Sequence, residues 1–257
     1  MIADESDSAD RPRSGRREHE VNPHVLFEAL AYFVGFQIYL RERRRAGDPI
    51  DAATRWSIVA AAIVGAAVGS RLLYWSVDPA LTVAHWDDVR YLLGGKTVVG
   101  GMLGGVIAVE MTKRALGVTR RTGDLFAVPL AVGIAIGRVG CFLSGLPDRT
   151  YGIQSHLPWS VDFGDGIPRH PVQLYESLAM IALAFWLRRL ARRPHREGDL
   201  FRLFLVAYLC WRLAIDFLKP DPSVVAGLSA IQIAALAGML VYARDVHRWL
   251  NSGIAHG

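Results

Sequence analysis

The chain has 257 residues, 52% of them hydrophobic and 21% charged, with a formal net charge of +5. Its charges are gathered into short blocks between apolar runs of roughly 20 residues, the length that crosses a ~30 Å hydrocarbon core, which argues against a soluble all-helical protein. The basic excess lies in those blocks and reads as a topology signal rather than a nucleic-acid footprint, so no nucleic-acid partner is expected.

Residues 1–23 mix acidic, basic, Ser and Pro residues without apolar periodicity, and a disordered N-terminal tail is expected there. No basic start, apolar centre and small-residue cleavage site precede His24, so the segment does not read as a signal peptide. Beyond it the apolar runs predict helices at about 24–40, 54–75, 96–112, 122–146, 170–187, 200–218 and 224–243. The fold class is therefore all-α: a polytopic membrane protein whose seven helices occupy 24–243, followed by a cytoplasmic tail at 244–257.

Arg41, Arg43, Arg44 and Arg45 follow the first helix; Lys113, Arg114, Arg120 and Arg121 follow the third; Arg188, Arg189, Arg192, Arg193 and Arg196 follow the fifth. Cytoplasmic loops accumulate Lys and Arg, which puts the N-terminus outside and the C-terminus, with Arg244 and Arg248, inside. Two outward loops are long. Residues 76–95 could form an interfacial segment, and 147–169, with Tyr151, Trp159 and Phe163, reads as strand-like or looped. Gly65 and Gly69 in the second helix and Gly101 and Gly105 in the third have the small-xxx-small spacing of close helix packing. The run Gly100–Gly105 also leaves room for a bulky ligand.

The ionisable residues inside the apolar runs matter most, because a cation at mid-bilayer costs roughly 2.5–3.5 kcal/mol on insertion scales. Counting ~1.5 Å per residue from each helix end places Glu28, Arg71, Arg138, Glu176, Arg212 and Asp216 in the outer half of the membrane. Glu110 and Asp124, near inner ends, can snorkel to water. A shared depth is what a polar cavity open to the outer leaflet produces. Bland readings stand beside it: Arg212 and Asp216, spaced i, i+4, can neutralise one another, and Arg138 can pair with Glu176. Cys141 and Cys210 both lie inside apolar runs, giving neither a disulfide framework nor a metal-ligand spacing. Cys141 reads as a small apolar filler, and no metal or cofactor is expected.

Six motifs, in this order along the chain, carry a resemblance. They are TVVGGMLGG (97–105), GRVGCFLSG (137–145), DRTYG (148–152), RHPVQLYES (169–177), WRLAIDFLKPDP (211–222) and LSAIQ (228–232). Together they resemble the bacterial phosphatidylglycerol–prolipoprotein diacylglyceryl transferases. The resemblance implies an inner-membrane enzyme of seven helices that moves a diacylglyceryl group from phosphatidylglycerol onto the lipobox cysteine thiol of a prolipoprotein, forming a thioether and releasing glycerol phosphate. Its implied partners are membrane lipids, phosphatidylglycerol among them, and the lipobox peptide. Arg138 matches the phosphate-contacting arginine, Arg212 and Asp216 match cavity-lining positions, and His170 is carried over as a catalytic or boundary residue. Gly100, Gly101, Gly145, Glu176, Glu28 and Gln173 are the candidate substrate-binding positions. The chain departs from the pattern at Val99 (commonly His), Glu28 (commonly Tyr), Cys141 (often Asn) and Leu146 (expected acidic, with Asp148 two positions on). Two further readings are a lipid-binding accessory protein of the same fold without transfer, and a transporter using the buried charges as a relay.

Overall fold

In a computed structural model, which describes residues 23–252, the apolar runs fold as helices. These are α1 (Pro23–Ala46), α2 (Ala52–Val77), α5 (Val98–Ala115), α6 (Asp124–Ser144), α7 (Val172–Leu190), α8 (Asp199–Ile215) and α9 (Ala230–Val241). The expected N-terminal tail lies outside the described residues except for Pro23. Two short helices, α3 (Pro79–Ala84) and α4 (Val89–Gly94), occupy the loop at 76–95, and α10 (Ala243–Ser252) continues the chain where a tail was expected. α2 and α6 are the helices long and apolar enough to cross a membrane by length and composition alone.

Side-chain caps fix several boundaries. Asp51 accepts from the Thr54 amide at 3.0 Å to start α2, and Asp78 accepts from the Leu81 amide at 2.9 Å to start α3. Helix α9 begins later than the expected 224: Val224 and Val225 pair back on Leu228, with Ala226 and Gly227 at φ 51° and 77°. Ser229 and Gln232 then form a reciprocal capping box. Composition shows an apolar run; the turn inside it is made by positive-φ residues and a cap.

Helices α2 and α5 pack on each other, as do α1 and α6, while α6 also carries α7 and α8. A Cβ on Gly69 would lie 2.4 Å from the Gly100 carbonyl oxygen, and one on Gly104 2.4 Å from that of Gly65. The close row on α5 is therefore Gly100 and Gly104, one residue from the Gly101/Gly105 row expected from spacing. α6 is the central helix, half buried along its apolar window, whereas α2 is 6% buried and turns Ile63, Val64, Val68 and Leu72 outward. Large apolar side chains exposed along a helix belong against lipid rather than water.

One end of the bundle is tied by charge. Asp124 accepts the Gly198 and Phe201 amides at 2.6 and 3.0 Å, capping α8 from α6 instead of snorkelling to water. Fully buried Arg55 donates to Asp48 and to the Thr122 carbonyl, and Arg248 clamps Asp199 at 2.7 and 2.9 Å. At the other end, the 147–169 loop pairs β1 (Val161–Asp162) with β2 (Pro168–Arg169) and fastens to the end of α8 through Ile153 N–H to the Leu218 carbonyl, 2.8 Å.

Candidate active site

One end of the bundle holds a buried ion network built by three helices. α6 supplies Arg138, α7 supplies Glu176 one and a bit turns from its start, and α8 supplies Tyr208 and Arg212 on one face at i, i+4. Arg138 Nε lies 3.0 Å and Arg212 NH1 3.1 Å from the same oxygen, Glu176 Oε2. Tyr208 donates to Oε1 at 3.4 Å, and Arg212 NH2 donates to Asp216 Oδ1 at 2.9 Å. Ser229, at the start of α9, donates to the other Asp216 oxygen. Exposure is 1% at Glu176, 3% at Arg212, 4% at Asp216 and 8% at Arg138, so these charges are held by one another rather than by bulk water.

Some donors are left over. Among the described residues, the buried Gln173 amide makes no hydrogen bond through either of its atoms, and Arg212 Nε is also unpaired. Half-buried Lys219, just past α8, donates its backbone N–H to the Asp216 carbonyl at 3.1 Å, while its ammonium makes no hydrogen bond or ion pair among the described residues. Desolvation, with the Arg212 and Arg138 guanidiniums nearby, pushes its ammonium down to about 8. Two guanidiniums face two carboxylates, and the Asp221 carboxylate stands near the Lys219 ammonium.

Arg138 links this network to a second group. Its NH1 lies 3.8 Å from Cys141 Sγ, which in turn is 3.9 Å from His24 Nδ1 at the start of α1. His24 meets Asp148 at 3.0 Å and Glu28 at 3.5 Å, and Glu28 holds Lys96 at 2.6 Å. Cys141 is buried, as a filler would be, but its sulfur faces an imidazole and a guanidinium rather than apolar atoms. His24 and Lys96 carry no periodic or motif signal in the sequence, because each joins the site from an element end.

The other expected site residues fall elsewhere. His170 stands apart from the arginines: its backbone bonds Gly152 and Ile153, and its Nδ1 faces the Tyr175 hydroxyl at 3.4 Å. Arg71 turns from the shared depth to bond the Leu93 carbonyl at 3.2 Å, tying α2 to α4. Gly100 is filled by α2, whereas a Cβ on Gly101 would meet only an ordinary contact at 3.5 Å. Gly145 ends α6 at φ 62°, beneath Phe163, beside a cavity of about 780 Å³ between Phe142–Pro147 and the β1 turn.

A helical bundle with apolar outer faces, enclosing an ion network near one end, defines a helical membrane protein. The family profile described as prolipoprotein diacylglyceryl transferase matches residues 17–244. The chain belongs to this family. It is similar to the phosphatidylglycerol–prolipoprotein diacylglyceryl transferase of Cupriavidus necator, 32% identical over 228 residues that cover 82% of this chain and 81% of the relative. It is likewise similar to those of Bordetella parapertussis, at 30% over 222 residues (80% and 82%), and Clostridium tetani, at 30% over 187 residues (70% and 74%).

Proposed function

We propose that this protein transfers the diacylglyceryl group of phosphatidylglycerol to the lipobox cysteine thiol of prolipoproteins, forming a thioether and releasing glycerol phosphate. The reading is carried by the sharing of Glu176 Oε2 between Arg138 and Arg212. A point that two guanidiniums reach together is a point where phosphate oxygens find two donors. As the glyceryl C–O bond breaks, its oxygen keeps the electron pair and the phosphate gains charge, so those donors hold the transition state more strongly than the ground state. The unpaired Gln173 amide and Lys219 supply further donors without breaking an existing bond.

The same reading places the protein in a bacterial inner membrane as a seven-span domain over residues 24–243. α1, α2 and α5–α9 are the spans, the loops 76–95 and 147–169 face outward, and residues 244–257 are cytoplasmic. The basic last turns of α1, α5 and α7 support this orientation.

A second reading is a lipid-binding accessory protein of the same fold. Two observations favour it: both arginines are already neutralised by carboxylates, and Val99, 1% exposed, fills the place of the histidine common in the family. One assay separates the two, using purified protein, phosphatidylglycerol labelled in its acyl chains and a lipobox peptide. Labelled thioether that disappears in Arg138→Ala supports transfer. Retained phosphatidylglycerol binding with no product in the wild-type protein overturns it in favour of the accessory role.

A further inference from the structure

Helix α7 runs out into five arginines, Arg188, Arg189, Arg192, Arg193 and Arg196, with no acid among them. All five are exposed, and among the described residues none makes an ion pair or a side-chain hydrogen bond. The acids that follow are already engaged. Glu197 pairs with Arg120, Asp199 is clamped by Arg248, and Asp124 accepts the Gly198 and Phe201 amides. Nor are the guanidiniums needed to cap the helix. The Leu187, Arg189 and Leu190 carbonyls accept the backbone amides of Ala191, Arg192 and Arg193. The chain therefore holds five like charges side by side with no counter-charge of its own.

What precedes them on α7 says where the counter-charge comes from. Leu178, Ile181, Phe185 and Trp186 are exposed, whereas Met180, Leu183, Ala184 and Leu187 on the other face are buried. Steps of three and four residues put the exposed set on one face, and Arg188, Arg189 and Arg192 continue it. At ~1.5 Å per residue, Leu178 to Arg188 covers ~15 Å. That is half of a ~30 Å hydrocarbon core, the depth of one leaflet. An apolar stripe one leaflet long, ending in guanidiniums, has the dimensions and the polarity sequence of a phospholipid. A soluble polyanion would have no use for the apolar part.

We propose that this face of α7 binds an anionic phospholipid of the adjoining leaflet, with its phosphate held by Arg188, Arg189 and Arg192 and an acyl chain lying along Phe185, Ile181 and Leu178. Guanidiniums suit the task because their planar fork meets two phosphate oxygens at once. Arg193 and Arg196 lie beyond the phosphate and favour a headgroup with net negative charge over a zwitterionic one. The site is independent of the transfer reaction. Glu176 lies ~18 Å away along the same helix, so the bound lipid touches none of the ion network and instead fixes the depth at which α7 carries it.

Trp186, next to the arginines on the exposed face, reports on the lipid beside it. Full-length protein is placed in phosphatidylcholine vesicles containing a minor fraction of brominated-chain phosphatidylserine or, in parallel, of brominated-chain phosphatidylcholine. The Trp186 part of the quenching is taken as the difference from Trp186→Phe. The anionic lipid is expected to be enriched beside Trp186 by at least about fivefold, the factor that a single arginine near an anionic surface supplies. Replacing Arg188, Arg189 and Arg192 together by Gln is expected to make the two brominated lipids quench alike. Raising the salt concentration is expected to shrink the preference in the wild-type protein, a check that needs no arginine variant to fold. Equal quenching by both lipids in the wild type, a preference that the triple variant keeps, or one that salt leaves unchanged overturns the proposal. Inorganic phosphate is expected not to restore the fluorescence beyond the effect of a chloride salt of equal ionic strength. Displacement by phosphate alone would assign the arginines to a free anion, and retention of a short RNA without any lipid preference would assign them to a soluble polyanion; either result overturns the lipid site.

Discussion

Glu176 is the residue on which the buried charges turn, because one of its oxygens faces both Arg138 and Arg212. Removing one member of a buried, hydrogen-bonded ion group leaves its partners uncompensated, at a cost of about 3–5 kcal/mol. Glu176→Ala is therefore expected to lower stability by that amount, read as a loss of folded yield and of thermal midpoint in detergent. Arg212→Ala is expected to cut transfer by about 10²–10³, the loss typical for one donor to a developing anion. If yield and transfer fall together instead, the arginine serves the fold alone. Lys219 gives a pH dependence. Arg212 and Arg138 depress its ammonium, Glu176 and Asp221 oppose them, and the group sits at about 8. Its charge is present below that value and lost above it, so phosphatidylglycerol binding is expected to weaken as pH rises through about 8. Lys219→Arg, always charged, is expected to abolish that fall.

At the scale of elements, the packing of α2 on α5 sets which glycines tolerate change. Gly104→Ala would put a Cβ 2.4 Å from the Gly65 carbonyl oxygen, an overpacking worth about 1–3 kcal/mol, while Gly101→Ala meets nothing nearer than 3.5 Å and is expected to unfold like the wild type. Ser229→Ala removes the α9 cap and a bond to Asp216, with an expected loss of about 1 kcal/mol or more in unfolding measurements. The helices were legible in the sequence because each lies in an apolar run, but the start of α9 was not, since Ser229 caps it inside the run that begins at about 224. The register of α2 on α5 was not, since Gly100/Gly104 and Gly101/Gly105 share one spacing. The arginines of the site stood out as charges in hydrocarbon. His24 and Asp148 did not, for nothing in the sequence sets them apart until the chain folds and brings positions 24, 141 and 148 together.

For the whole molecule, the proposed orientation has a direct check. A reporter active only in the cytosol is expected to work when inserted after Arg193 and to stay silent when inserted after Asp165; the reverse pattern overturns the orientation. The bundle is assembled largely from two zipped pairs, α1 with α6 and α2 with α5. At the end that carries the ion network, Glu28 of α1 holds Lys96, just before α5, through a pair whose side chains are 33% and 51% exposed. A solvated pair of that kind is worth about 1 kcal/mol at most, so roughly one molecule in six has it open at any instant. The two zipped pairs are therefore joined at this end by a clasp that thermal motion alone undoes, and no external energy source is required to part it.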